Sequence, residues 1–296
     1  MAAAPARYRV EHESRYAYTA PVSQSWQLAR LTPRTLPWQT LLSHTLQVEP
    51  PTDERHDARD SFGNTVTHFG LHRAHRVLRV DMQCTVDVAE RPPLPGGAGP
   101  SWEAVREGIR TRRHGDVIEA ARMSESSALV PLSEAARQYA AASLTPGRDW
   151  LQALLDLTHR IHRDFEFDPG STTVSTSVDE VLELRSGVCQ DFAHLMLAAL
   201  RGHGLPARYV SGYLLTDPPP GQPRLMGADA THAWVAAYAP GCGWVEFDPT
   251  NDQLADARYI TLAWGSDFAD VAPLRGVILG GGEQRLHTAV SVLPLV

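Results

Sequence analysis

SGVCQDFAHLMLAAL, residues 186–200, sets a cysteine at the head of an apolar run, and the reading of that run decides the fold. Phe192, Leu195, Met196, Ala199 and Leu200 recur at helical spacing, Ser186 and Gly187 suit a helix entry, and Gly202 and Gly204 end the element. The spacing predicts a helix with Cys189 in or beside its first turn. There the unpaired backbone N–H groups and the positive end of the helix dipole favour an anion, so the position suits a thiolate nucleophile. A small buried core residue is the other reading of such a cysteine, and position alone leaves both open.

A nucleophilic cysteine needs a base. His194 lies on the same predicted helix, but five residues at 100° each put it about 140° around the axis from Cys189. The better candidate is His232 in DATHAWVAAY, at the start of a run that alternates bulky and small residues. Asp248, in GWVEFDPTN, closes the next extended run just before a proline. Two neighbouring antiparallel strands joined by the short turn PGCG bring these side chains within hydrogen-bond reach. The carboxylate then sets the imidazole tautomer, and the imidazole takes the proton from sulfur.

Working outward, helical patterns precede the cysteine at residues 132–143 and 149–165, and extended runs follow it at 207–215, 232–239 and 243–249. The expected class is α+β, with the cysteine-bearing helix packed on an antiparallel sheet. The first ninety residues look all-β: YRVEHESRYAYTAPV alternates from Tyr8, WQLARLTPRTLP interrupts with prolines, SHTLQVEPPTD ends on Pro-Pro, Gly63-Asn64 marks a turn, and residues 77–88 form a further strand. The expected organisation is a β domain over 1–90, a linker over 91–102, and a catalytic domain over 103–296, its core at about 150–250. The end of the chain, two strand-like runs around a GGG turn, reads as a structural C-terminal β extension.

The ordered blocks SGVCQDFAHL, ARYVSGYL, DATHAWV and GWVEFDPTN resemble the transglutaminase-like superfamily, in its bacterial branch with an added N-terminal β domain. The resemblance implies a papain-like core with Cys189, His232 and Asp248 as nucleophile, base and orienter. It implies acyl transfer on a peptide or protein amide through a thioester, completed by water or by an amine. The backbone N–H of Cys189 is one candidate oxyanion donor, and Gln190, Tyr213 and Trp234 are candidates for the second or for substrate contact. The animal calcium-dependent enzymes carry tryptophan after the cysteine where this chain has Gln190, and no acidic loop has calcium-ligand spacing, so calcium activation is not carried over. A non-catalytic scaffold is the competing reading, and three intact triad residues spread over sixty positions weigh against it.

Composition narrows the rest. A net charge of −7 argues against a broad nucleic-acid surface, and the arginine patch of residues 106–116, broken by Glu107 and Asp116, reads as a solvated helix face. No apolar run approaches the roughly 18 residues of a membrane helix, and the charged start resembles no export signal, so a soluble, cytoplasmic protein is expected. Three scattered cysteines, Cys84, Cys189 and Cys242, suit free thiols. His68, His72 and His75 have metal-like spacing only if helical, and their segment reads as strand and turn, so no metal and no cofactor is expected. The proline-rich residues 214–231, leading into His232, are expected to shape the substrate entrance, with Asp229 the alternative orienter. The oligomeric state stays open.

Overall fold

The computed structural model describes residues 4–94, 96, 99–111, 115–216 and 231–295. The N-terminal region contributes β1 (Ala6–Ala29), β2 (Gln39–Glu49), β3 (Glu54–Arg59), β4 (Thr65–Leu71) and β5 (His75–Val88), paired antiparallel in the order β2-β5-β1-β4-β3. The alternation expected from Tyr8 is met: Tyr8, Val10, His12 and Ser14 all point inward. β1 does not end at Val22, however, but runs on to Ala29, short of Pro33 and Pro37. Its pairing register shifts around Pro21, and beyond that point Ser25, Gln27 and Ala29 turn inward while Trp26 faces out. Inward residues this polar give no apolar alternation to read, which is why the second half looks like a loop in sequence.

The core follows with α1 (Trp102–Thr111), α2 (Gly115–Arg122), α3 (Glu134–Ala141), α4 (Trp150–Asp164), β6 (Glu166–Phe167), α5 (Val178–Leu184), β7 (Ser186–Gly187) and α6 (Cys189–Gly202). Then come β8 (Ala207–Leu214), β9 (Thr231–Ala239), β10 (Gly243–Asp248), β11 (Gln253–Leu254) and β12 (Tyr259–Gly265), an antiparallel sheet ordered β11-β10-β9-β8-β12. α6 is buried on every side from Phe192 to Arg201 and packs against β8 and β9. This is the α+β arrangement expected, with the cysteine helix at its centre.

The end of the chain returns to the first sheet. After α7 (Phe268–Val271), β13 (Leu274–Gly280) and β14 (Gln284–Leu295) both pair with β1, β13 along Val22–Ala29 and β14 along Arg7–Tyr18. The expected extension of the catalytic region is therefore part of the N-terminal sheet, which it completes to seven strands. The GGG turn faces the break in β1. Gly280, Gly281 and Gly282 all have positive φ, and a Cβ on Gly280 would lie 2.6 Å from the Pro21 carbonyl.

The two regions share one hydrophobic core, which runs from Val10, Met82 and Val86 to Leu195, Tyr213 and Val235. Polar side chains stitch the seam to β12. Gln39, fully buried, accepts from the Thr261 N–H at 2.8 Å and donates to the Thr261 and Arg34 carbonyls at 2.8 and 2.7 Å. Asn64 likewise accepts from the Trp264 N–H and donates to its carbonyl. Gln39→Ala should orphan several buried backbone groups at once and destabilise the protein by roughly 2–4 kcal/mol. Urea unfolding followed by circular dichroism measures this, and a loss under about 1 kcal/mol would show that the seam is held by apolar packing alone.

Candidate active site

Local backbone bonds aim Cys189 before any partner arrives. β6 and β7 pair in parallel, which sets Ser186 and Gly187 in place ahead of the helix. Asp191, in the first turn of α6, accepts from the Val188 N–H at 2.8 Å and from the Thr172 hydroxyl at 2.6 Å, so its carboxylate closes the helix start. Cys189 is thus the first residue of α6, as the spacing predicts, and is partly exposed. His194 lies elsewhere. It is buried, its Nε2 accepts from the Phe268 N–H at 3.2 Å, and burial lowers its pKa to about 4, which leaves it a neutral acceptor.

β9 and β10 supply the other two residues. Phe247 pairs with Val235, so Asp248 and His232 are diagonal neighbours on one face of the sheet. His232 Nε2 meets Asp248 Oδ2 at 2.7 Å, and Cys189 lies close enough to the imidazole to act on its protonation. With Nε2 turned to the carboxylate, Nδ1 is the nitrogen left for sulfur. Burial opposes a charge on the ring, but the bond to Asp248 and its charge, with Cys189 close by, outweigh it and raise His232 from 6.5 to about 10.

Asp248 is fully buried, and its oxygens are saturated. Oδ1 accepts from the backbone N–H groups of Thr250 and Asn251 at 2.8 and 3.2 Å, and Oδ2 accepts from the Asn251 amide at 2.7 Å and the Tyr259 hydroxyl at 2.6 Å as well as from His232. Burial would raise this carboxyl, yet the His232 bond and charge hold it below the usual carboxylate range. Gln253 donates to the Tyr259 hydroxyl at 2.5 Å, which orients that hydroxyl to donate onward to Asp248. Tyr259, Asn251 and Gln253 carry no sequence signal of this role. Only Asn251 had a hint, as a turn residue in DPTN just after the carboxylate.

The tentative contacts separate. Trp234 is brought to the site: its indole stacks on the His232 ring at 6.0 Å between centroids and meets Tyr259 edge-on at 5.2 Å. Gly212, paired with His232, makes room for it, since a Cβ there would lie 2.6 Å from the indole and 2.0 Å from the Ile260 carbonyl. Gln190 sits next to the thiol with its amide donating to the Val174 carbonyl at 3.4 Å. Tyr213 is a correction. Gly212 takes the face of His232, so Tyr213 points through the sheet, where its hydroxyl bonds His12 Nδ1 at 2.8 Å in the N-terminal region. Asp229 and most of the proline-rich segment lie outside the described residues. His68, His72 and His75 make separate contacts, with the His56 ring, the Trp26 ring and the Arg73 carbonyl.

Comparison with known proteins agrees with this architecture. Residues 8–87 match the bacterial transglutaminase-like N-terminal region and residues 136–249 match the transglutaminase-like superfamily. The uncharacterized protein Rv2569c of Mycobacterium tuberculosis (strain H37Rv) is 43% identical over 297 residues, covering 97% of this chain and 93% of that protein. A protein-glutamine gamma-glutamyltransferase of Pseudomonas aeruginosa is 32% identical over 120 residues, 38% of this chain and 18% of that protein. A crystal structure from Cytophaga hutchinsonii, provisionally assigned as a cysteine protease, superposes with a TM-score of 0.78 at 21% identity, covering 100% of this chain and 93% of that one, and so shares the fold.

The three thiols should differ sharply in reactivity. Burial pushes Cys84 up to about 12, and burial with the nearby Asp149 charge raises Cys242, whereas Cys189 is partly exposed at a helix start and near the His232 imidazole. Limited iodoacetamide treatment at neutral pH with peptide mapping is expected to label Cys189 first, and His232→Ala to slow that labelling. Preferential labelling of Cys242 would name a different nucleophile.

Proposed function

This chain belongs to the transglutaminase-like superfamily, and from that premise we propose that it catalyses thiol-dependent acyl transfer on a peptide or protein amide, with Cys189, His232 and Asp248 as nucleophile, base and orienter. The observation that carries the reading is the placement of His232, held by the buried Asp248 at 2.7 Å on Nε2 and close enough to Cys189 for the thiol to help raise its pKa.

In the proposed reaction the Cys189 thiolate attacks the amide carbonyl carbon, and the negative charge that forms on oxygen is met by the Cys189 N–H at the start of α6. Collapse of that intermediate breaks the C–N bond, and the His232 imidazolium gives its proton to the departing amine. A thioester on Cys189 remains. Water or a primary amine then attacks it, His232 takes the proton of the attacking group, and the thiolate leaves with its charge restored. Asp248 keeps the imidazole oriented and stabilises its cationic form without itself being protonated. Trp234, stacked against the ring, keeps an apolar wall beside the pair, and Gln190 is the candidate second oxyanion donor. The gamma-glutamyltransferase relationship supports the amine route, and the provisional protease assignment of the Cytophaga structure agrees with the hydrolytic one.

Incubating the protein with a peptide-amide library, with and without a primary amine, and weighing the products distinguishes the two acceptors. A product heavier by the amine marks transamidation, a free acid marks hydrolysis, and no turnover of any member by protein with an alkylatable Cys189 would sink the proposal. Once a substrate is found, Cys189→Ala and His232→Ala should abolish turnover, while Asp248→Asn should leave a measurable residue of activity. Tyr259→Phe removes one hydrogen bond from the charged carboxylate and should lower kcat roughly tenfold, about 1.4 kcal/mol of barrier. Because His232 keeps its proton up to about pH 10, the alkaline fall in kcat/KM should follow the loss of that proton near 10, well above 6.5. A fall centred at 6.5 would show that the imidazole is not held by its neighbours.

A further inference from the structure

The sheet face that carries His232 and Asp248 continues into a second site. Side chains alternate along strands, so Arg208 on β8, Trp244 and Glu246 on β10 and Trp264 on β12 share that face. Trp244 lies four residues before Asp248, about 13 Å along the strand. The buried cluster of Val210, Trp234 and Tyr259 separates the two ends. Beyond it is a cavity of about 900 Å³, walled by Trp38, Trp244, Leu254 and Trp264, with Arg91, Arg208 and Glu246 at its lining. The volume is in the range of small-molecule sites.

Arg208 is the unexplained group. Its guanidinium lies between two indole faces, 4.1 Å from the Trp244 centroid and 3.6 Å from that of Trp264, and the residue is only 7% exposed. Its Nε is buried without a partner, and none of its nitrogens makes a hydrogen bond or ion pair among the described residues. A buried cation without an anion is costly. No surrounding carboxylate bonds it. Glu246, whose charge favours the Arg208 cation, spends Oε2 on Arg91, at 3.1 Å from Nε and 2.9 Å from Nη2, and its Oε1 is buried without a bond to Arg208. Glu119 is exposed on α2. Arg34 stacks on the same Trp264 ring at 3.5 Å and adds a like charge. Indoles on both faces leave only the edge of the guanidinium open, the direction from which a carboxylate pairs in plane.

We propose that this cavity binds a small organic acid with an aromatic or similarly apolar body, its carboxylate paired edge-on with Arg208 and its body against Trp38, Trp244 and Leu254. The site is separate from the triad, and its occupant is not the amide substrate.

Calorimetric titration of the full chain with phenylacetate, and with the neutral phenylacetamide, tests this at neutral pH. Phenylacetate is expected to bind saturably and phenylacetamide at least roughly tenfold more weakly, since the amide lacks the charge that Arg208 awaits. Arg208→Gln should remove the difference between the two, and Arg208→Lys, which keeps the charge but loses the planar fork, should fall between. Alkylating Cys189 with iodoacetamide should leave phenylacetate binding unchanged. Equal affinity for acid and amide, no saturable binding of either, or loss of binding on alkylation of Cys189 would each overturn the proposal. The acid and amide comparison uses the unaltered protein, so it decides the matter even if an Arg208 variant misfolds.

Discussion

The bond between His232 and Asp248 is the constraint to which the core sheet is built. A carboxylate with no exposure is tolerable only when its lone pairs are occupied and its charge is met, and here donors arrive from β9, from the turn after β10 and from β12. That requirement ties the register of β9 against β10 to the path of residues 250–252 and to the position of Tyr259. Were any of these displaced, the carboxylate would lose a donor and the imidazole its orientation. The site is therefore not an ornament on a stable scaffold. It is one of the more heavily bonded places in the molecule.

β12 connects this network to the N-terminal region. Tyr259, its first residue, reaches Asp248, while Thr261 and Trp264 are held through their backbones by Gln39 and Asn64. The first sheet thus fixes the strand that carries the phenol, and the fixed phenol holds the carboxylate. The C-terminal strands contribute from the other direction, since β13 and β14 complete the sheet that presents Gln39 and Asn64. Burial and then the Asp248 charge raise the Tyr259 phenol, which keeps it protonated and a donor.

Much of this was legible in the chain. The helix behind Cys189, the strands of His232 and Asp248 and the exclusion of His194 all follow from period and angle, because they depend on residues within one element or on two strands joined by a short turn. The failures have a common cause. Tyr213, a candidate contact, lies on the strand paired with that of His232, but the side-chain period of two gives the site face to Gly212 and sends Tyr213 to His12. The second half of β1 was lost because its inward residues, Ser25 and Gln27, are polar. Tyr259, Asn251 and Gln253 could not be singled out, since nothing about a tyrosine at the start of a strand tells which carboxylate it will meet.

By itself the sequence determined the elements, the cysteine at a helix start, and the pair of histidine and aspartate on adjoining strands, because periodicity, turn chemistry and short connections are local properties. The tertiary structure alone decided that the last strands complete the first sheet, that β12 lies at the seam of the two regions, and that Arg208 sits between two tryptophans without a counter-ion. Those outcomes depend on which distant segments pair and on which face each side chain then takes, and that is settled by burial of the whole core at once.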